Sequence, residues 1–174
     1  WSIIVPEAVT NKALNPSAET TGNFSAHAST TVDRSTTYSF KGYYSYRVQA
    51  NANGEGVDFT LSALANAIHY VTMMVRGTLP SPWQWSLDNT NWTAPTLIAT
   101  YGNWTLYGAS FVAAQATGST TLYIKQTDAD AADYYLDAIQ VEAADHYTTY
   151  CDGDQPGCTW SGAVHASTSS RTAQ

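Results

Sequence analysis

The side chains with the most chemical reach are two cysteines, four histidines and fourteen carboxylates. Cys151 and Cys158 sit in "CDGDQPGCTW" (151–160). A zinc site wants about four Cys or His ligands, with its cysteines two to four residues apart. A redox pair reads C-x-x-C. The C-x6-C spacing fits neither, and the nearest histidines are His146 and His165. Asp152-Gly153 and Gln155-Pro156-Gly157 supply two turn signals that fold the chain back. A local disulfide is therefore the leading reading, worth at most ~2.5 kcal/mol by loop entropy. Two free buried thiols are the alternative. A disulfide would place maturation outside a reducing cytosol.

The remaining polar residues do not assemble into a catalytic pattern. His27, His69, His146 and His165 are far apart, and there is no G-x-S-x-G, H-E-x-x-H or phosphate loop. A glycosidase needs two carboxylates at a defined separation across a cleft, and nothing singles out a pair. The expectation is a protein that is not an enzyme, with an extracellular glycoside hydrolase fragment as a distant third reading. "DADAAD" (128–133) lacks the Gly and the final Glu of an EF-hand loop and reads as a solvated turn.

Aromatic residues offer a different chemistry. Four of the six Trp fall in "SPWQWSLDNTNWTAPTLIATYGNWTLYG" (81–108). An indole can take the C–H face of a pyranose while neighbouring polar groups take its hydroxyls. Trp83, Trp85, Trp92 and Tyr101, with Gln84, are the candidate carbohydrate-binding residues; Asp88, Asn89 and Asn91 are near to hand. Trp83 and Trp85 alternate and so share one face of a strand. The competing reading is core filler, since large aromatics are often buried; it is favoured for Trp104 and extends to Trp85.

These residues must be held by strands. "YYSYRVQA" (43–50), "VDFTL" (57–61), "IHYVTMMVRG" (68–77), "WTLYGASF" (104–111), "TTLYIKQ" (120–126) and "YYLDAIQVE" (134–142) are aromatic or β-branched and bounded by turn formers, and "FSAHAST" (24–30) is a weaker strand. "LSALANAI" (61–68) is too short for more than a helical turn. About eight strands without intervening helices predict an all-β antiparallel jelly-roll sandwich. At 174 residues and 44% apolar composition, one domain with tails is expected. The expected organisation is a lead-in at 1–10, a jelly-roll module at 11–145, and a disulfide-closed extension with a polar linker at 146–174.

Net charge is −7, with seven Lys and Arg spread singly. That argues against nucleic acid, which needs a basic patch, and against anionic membrane surfaces. No apolar run reaches the ~18 residues of a membrane span. The chain opens at Trp1 without a signal peptide and reads as a processed piece of something longer.

Three motifs in order, "NPSAE" (15–19), "FKGYYSYRV" (40–48) and "YYLDAIQVE" (134–142), resemble the frame of the galactose-binding-like jelly rolls, in particular carbohydrate-binding modules of families 4, 9 and 22. The resemblance covers about residues 11–142. It implies a structural Ca2+ between the first and last strands. By position its ligands would be the Ser17 carbonyl, the Glu19 carboxylate, the Lys41 carbonyl and the Asp137 carboxylate; simple hydrogen bonding of Glu19 and Asp137 is the alternative. Ala18 stands where that family usually has Phe. The segment "TTYCDGDQPGCTWSGAVHASTSSR" (148–171) is similar to one that follows such jelly rolls in phage minor tail and fibre-like proteins. Val164 departs from it, where Pro is frequent. Trp160 would then pack back on the domain or on a neighbour.

The resemblance implies a non-catalytic carbohydrate-binding or adhesion module of a larger phage-tail-like or cell-surface protein. It would be extracellular or on a virion, with a glycan and neighbouring subunits as partners; a homo-oligomer is compatible with this. The alternative is a structural spacer or assembly domain without sugar binding.

Overall fold

The computed structural model describes residues 7–78 and 82–173. Most of the expected lead-in at 1–10 lies outside the described residues. The chain forms β1 (Val9–Asn11), β2 (Phe24–His27), β3 (Thr31–Ser35), β4 (Ser45–Ala50), β5 (Gly56–Thr60), β6 (His69–Thr78), β7 (Trp83–Ser86), β8 (Thr96–Tyr101), β9 (Trp104–Phe111), α1 (Ala113–Ala116), β10 (Thr121–Gln126), β11 (Ala132–Glu142), β12 (Thr159–Trp160) and β13 (Ser169–Arg171). A six-stranded sheet, β3-β4-β11-β6-β9-β8, packs on a four-stranded one, β2-β5-β10-β7. Every strand pair is antiparallel, so this is the jelly-roll sandwich that the alternating pattern predicts.

Alternation places Tyr46 and Val48 of β4, Val71, Met73 and Val75 of β6, and Tyr134 and Leu136 of β11 on the inner face of the larger sheet. Val57, Phe59, Leu122, Ile124 and Trp85 answer from the smaller sheet. Burying each large side chain contributes roughly 1.5–3 kcal/mol. β11 changes phase part-way. A bulge falls between Asp137 and Gln140, with Ala138 at φ 49°. The extra residue keeps Ile139 and Val141 in the core although their spacing from Tyr134 is odd. A left-handed alanine costs about 1–2 kcal/mol, so the surroundings must hold it there. The Asp137 carboxylate accepts the Ala138 N–H at 2.6 Å, and Ile139 N–H bonds the Pro16 carbonyl at 2.9 Å.

The end of the chain departs from expectation. Ser169–Arg171, within the stretch read as a polar linker, is strand β13 and pairs with β1 and β12. Asn11 is the hub of this third, three-stranded sheet. Its amide donates to the carbonyls of Ile139 (2.9 Å) and Cys151 (3.2 Å) and accepts from Val141 N–H (3.0 Å) and Ala13 N–H (3.1 Å). All four positions of a fully buried amide are satisfied. Cys151 and Cys158 form a disulfide across Cα atoms 5.9 Å apart. Trp160 packs inside this hook rather than on the domain. Its Nε1 donates to Asp154 Oδ1 at 3.0 Å, and its ring lies so close to Gly153 that a Cβ there would collide.

Candidate functional site

The outer face of the six-stranded sheet carries a second apolar cluster: Met74, Trp104, Tyr135 and Ala138, with Phe40, Leu106 and Tyr150 against them. Two segments rise from this floor. One is the 36–44 loop, where Tyr38 meets Tyr135 edge-on (5.0 Å) and Phe40 meets Trp104 (5.9 Å) and Tyr101 (6.4 Å). The other is the start of the extension, where Tyr147 leans toward Tyr70 (6.2 Å). Between them lies a groove of about 520 Å³ floored by Thr72, Met74, Leu106 and Ala138. Phe40, Lys41 and Tyr101 form one wall and Tyr147–Tyr150 the other, with Glu7, His146 and Arg171 along the rim.

Buried and half-buried polar residues fix both walls. Glu142 accepts the Thr148 N–H (2.9 Å) and hydroxyl (2.8 Å), and Gln140 Oε1 accepts the Cys151 N–H at 2.8 Å. These contacts clamp the extension to β11. The 36–44 loop is clamped by the residues singled out as cation ligands. Asp137 Oδ2 accepts the N–H groups of Phe40 (2.6 Å) and Lys41 (2.9 Å), and Glu19 Oε1 those of Tyr43 (2.7 Å) and Tyr44 (3.0 Å). Gly42, at φ +69°, closes the turn, and a Cβ on it would strike the Glu19 carboxylate. Burial pushes the Asp137 carboxyl up to about 7, against the pull of its three backbone donors and with added repulsion from Glu19.

Two carboxylates converging on one turn supply the oxygen type that a hard cation such as Ca2+ takes, although here their oxygens accept backbone N–H groups. Among the described residues no three His, Cys, Asp or Glu side chains gather as a metal cluster. A cation there would depend on Glu19 and Asp137 plus carbonyl oxygens.

The five predicted sugar residues part into three places. Trp83 is 7% exposed and Trp85 is fully buried; Trp83 packs edge-on to Trp85 (5.2 Å) and Tyr107 (5.3 Å). Neither offers an open platform, and this corrects their candidacy. The register explains it: Trp85 pairs with the core residue Ile124 of β10, so the shared face of the two indoles is the inner one. Gln84 points the other way, onto the outer face of the four-stranded sheet. Trp92 is on that face too, with Lys125 Nζ 3.7 Å above its ring and the His27 ring 6.0 Å away. Asp88 is occupied by its own turn, accepting the Thr90 (2.9 Å) and Asn91 (2.7 Å) N–H groups. Tyr101 alone, 53% exposed, stands in the groove. Phe40, Tyr147 and Tyr150 went unread as site residues, because loop aromatics carry no periodic signal.

No protein-family model matches the sequence, and no curated protein is similar to it in sequence. Solved structures are similar in fold. The CBM22-1 xylan-binding domain of Paenibacillus barcinonensis Xyn10C superposes with a TM-score of 0.54 at 16% identity, over 82% of this chain and 96% of that one. The C-terminal family 22 carbohydrate binding module of Clostridium thermocellum Xyn10B gives 0.54 at 13% identity, over 79% and 93%. The CBM22-2 xylan-binding domain of the Paenibacillus protein gives 0.54 at 10% identity, over 78% and 98%. The chain shares their jelly-roll fold.

Proposed function

We propose that the chain is a non-catalytic glycan-binding module, with its site in the groove on the outer face of the six-stranded sheet. The groove itself carries the reading. It has an apolar floor, aromatic walls from Phe40, Tyr101 and Tyr147, and polar groups from Lys41, Thr72 and Thr149 that can meet sugar hydroxyls. Glu7 is the one carboxylate among its described lining residues, whereas glycoside hydrolysis calls for two across the bond. Fold-level similarity to modules described as xylan-binding supports the same class of ligand here.

Retardation in gels containing xylan, β-glucan or galactan tests this. Retardation by at least one polymer, weakened in Tyr101→Ala with the melting curve unchanged, is the expected result; free migration through all of them would end the proposal.

A Ca2+ ion held by the Glu19 and Asp137 carboxylates and the Ser17 and Lys41 carbonyls belongs to the same reading. Its role would be to fix the 36–44 wall. At a hundredfold excess over Kd, such an ion stabilises by about 2.7 kcal/mol. Addition of CaCl2 should raise the melting temperature of wild type but not of Glu19→Gln; equal melting in CaCl2 and EDTA removes the ion from the account. The disulfide and the tail's likeness to phage fibre-like proteins support an extracellular or virion setting within a larger assembly.

A further inference from the structure

The groove has different ends. Its lining comes from β8 and β9 (Tyr101, Leu106), β6 (Thr72, Met74) and β11 (Ala138), and from no residue of β4 or β3. β8 is the edge of the six-stranded sheet, and β11 lies at its middle. At the β8 end, Tyr101 stands 53% exposed and the floor runs out to solvent. At β11 the two walls meet. The backbone of Phe40 and Lys41 sits down on Asp137 through two N–H bonds, which covers the strand just beyond Ala138. Lys41 Nζ then crosses to the extension and donates to Gln155 Oε1 at 3.3 Å. Tyr150 fills the corner beneath, packed against Ala138's cluster.

We propose that the groove is a blind channel that takes the end of a glycan chain rather than an internal segment. This rests on the reading of the groove as a glycan site. An internal segment must enter and leave, so it needs two open ends. A polymer threading across β6 from the β8 edge meets the seated 40–41 turn at β11 and has no exit over β4. A terminal unit needs only the open side. It would slide past Tyr101 over Met74 and Leu106 and come to rest against Lys41, Thr149 and Tyr150. The parts that close the channel are not mobile surface chains. The 40–44 turn hangs on two carboxylates, and the extension on Asn11, Gln140, Glu142 and the Cys151–Cys158 disulfide. The C-terminal extension is thus a specificity element, since without it the groove would be an open shelf.

The test separates the two claims. Xylan, β-glucan and galactan are each used whole and after partial endo-hydrolysis, at equal sugar mass, as competitors for the immobilised protein. Fragmentation multiplies chain ends and leaves the internal linkages nearly constant. Competition that rises in proportion to the number of ends, and weakens about tenfold in Tyr101→Ala, is the expected result. Equal or weaker competition after fragmentation means binding along the chain and overturns the blind channel while leaving glycan binding intact. End-dependent competition of undiminished strength in Tyr101→Ala places the site elsewhere and also overturns it. No competition by any polymer or fragment overturns the channel together with the glycan reading beneath it.

Discussion

The two outer faces of the sandwich use aromatic side chains in opposite ways. On the six-stranded sheet, aromatics from two separate loops stand up around a cavity. On the four-stranded sheet, His27 packs edge-on against Trp92 and Tyr123, and Lys125 covers the indole at 3.7 Å. A cation over an exposed ring contributes about 0.5–1 kcal/mol, and it occupies the surface on which a sugar would stack. The His27–Asp58 pair at 2.8 Å closes the patch further. Aromatic content therefore does not make a site. What separates the faces is polar anchoring above the sheet: buried Asp137 with half-buried Glu19 under one wall, buried Asn11, Gln140 and Glu142 under the other.

The strongest way to break that contrast is to pull an anchor. Asn11→Leu would strip partners from the Val141 and Ala13 N–H groups and from the Ile139 carbonyl, while the Cys151 carbonyl keeps the Ser169 hydroxyl. Unsatisfied buried groups cost about 1–3 kcal/mol each, so a loss of at least ~3 kcal/mol is expected in urea unfolding. A loss under 1 kcal/mol would show that water replaces the amide and that the extension is only loosely docked. Removing the disulfide as Cys151→Ala/Cys158→Ala is a milder version, worth at most ~2.5 kcal/mol. Glycan retardation should weaken with it, because Cys151 directly follows the Tyr147–Tyr150 wall. Undiminished retardation would uncouple the extension from the groove.

How far these features could be read in advance follows from their physics. The sandwich was legible because strand burial has a period of two in β10 and in much of β4, while β6 and β11, buried on both faces, show in their β-branched and aromatic content. The shared face of Trp83 and Trp85 was legible for the same reason, but which face was not. That depends on pairing with Ile124, almost forty residues away. Glu19 and Asp137 could be placed together from the motifs around them, and both do hold the 40–44 turn. The wall at 147–150 and strand β13 were illegible. "SSR" has no hydrophobic signature, and its burial comes from pairing with β1 and from Asn11, more than 150 residues distant. Polar hubs of this kind have no local pattern.

A sharper version of the comparison pits one ring from each face against the other. Tyr101→Ala removes a wall of the groove and should weaken glycan binding by about tenfold, or roughly 1.4 kcal/mol. Trp92→Ala removes the largest exposed-face ring of the other sheet and should change binding less than about twofold, within 0.4 kcal/mol. Isothermal titration with the retarding polysaccharide reads both. The reverse order would move the site to the four-stranded sheet and restore Trp92 and Gln84 as its residues.

The smallest effect is a titration at the groove rim. His146 lies between Asp145 Oδ1 (2.7 Å) and Glu7 Oε2 (2.9 Å). The hydrogen bond to Asp145, then the bond and charge of Glu7, lift its imidazole to about 9. The folded state thus holds this proton more tightly than the unfolded chain, whose histidine titrates near 6.5. The sign of the linkage follows: the contribution to stability is complete below about 6.5 and is lost as pH rises through about 9. The pair is solvent-exposed, so salt screens it and the melting temperature should shift only slightly. Imidazole resonances followed by NMR should give a midpoint near 9 for His146, and the alkaline decline should flatten in His146→Gln. A midpoint near 6.5 would mean that Glu7 and Asp145 do not hold the ring, and that this rim is open rather than clasped.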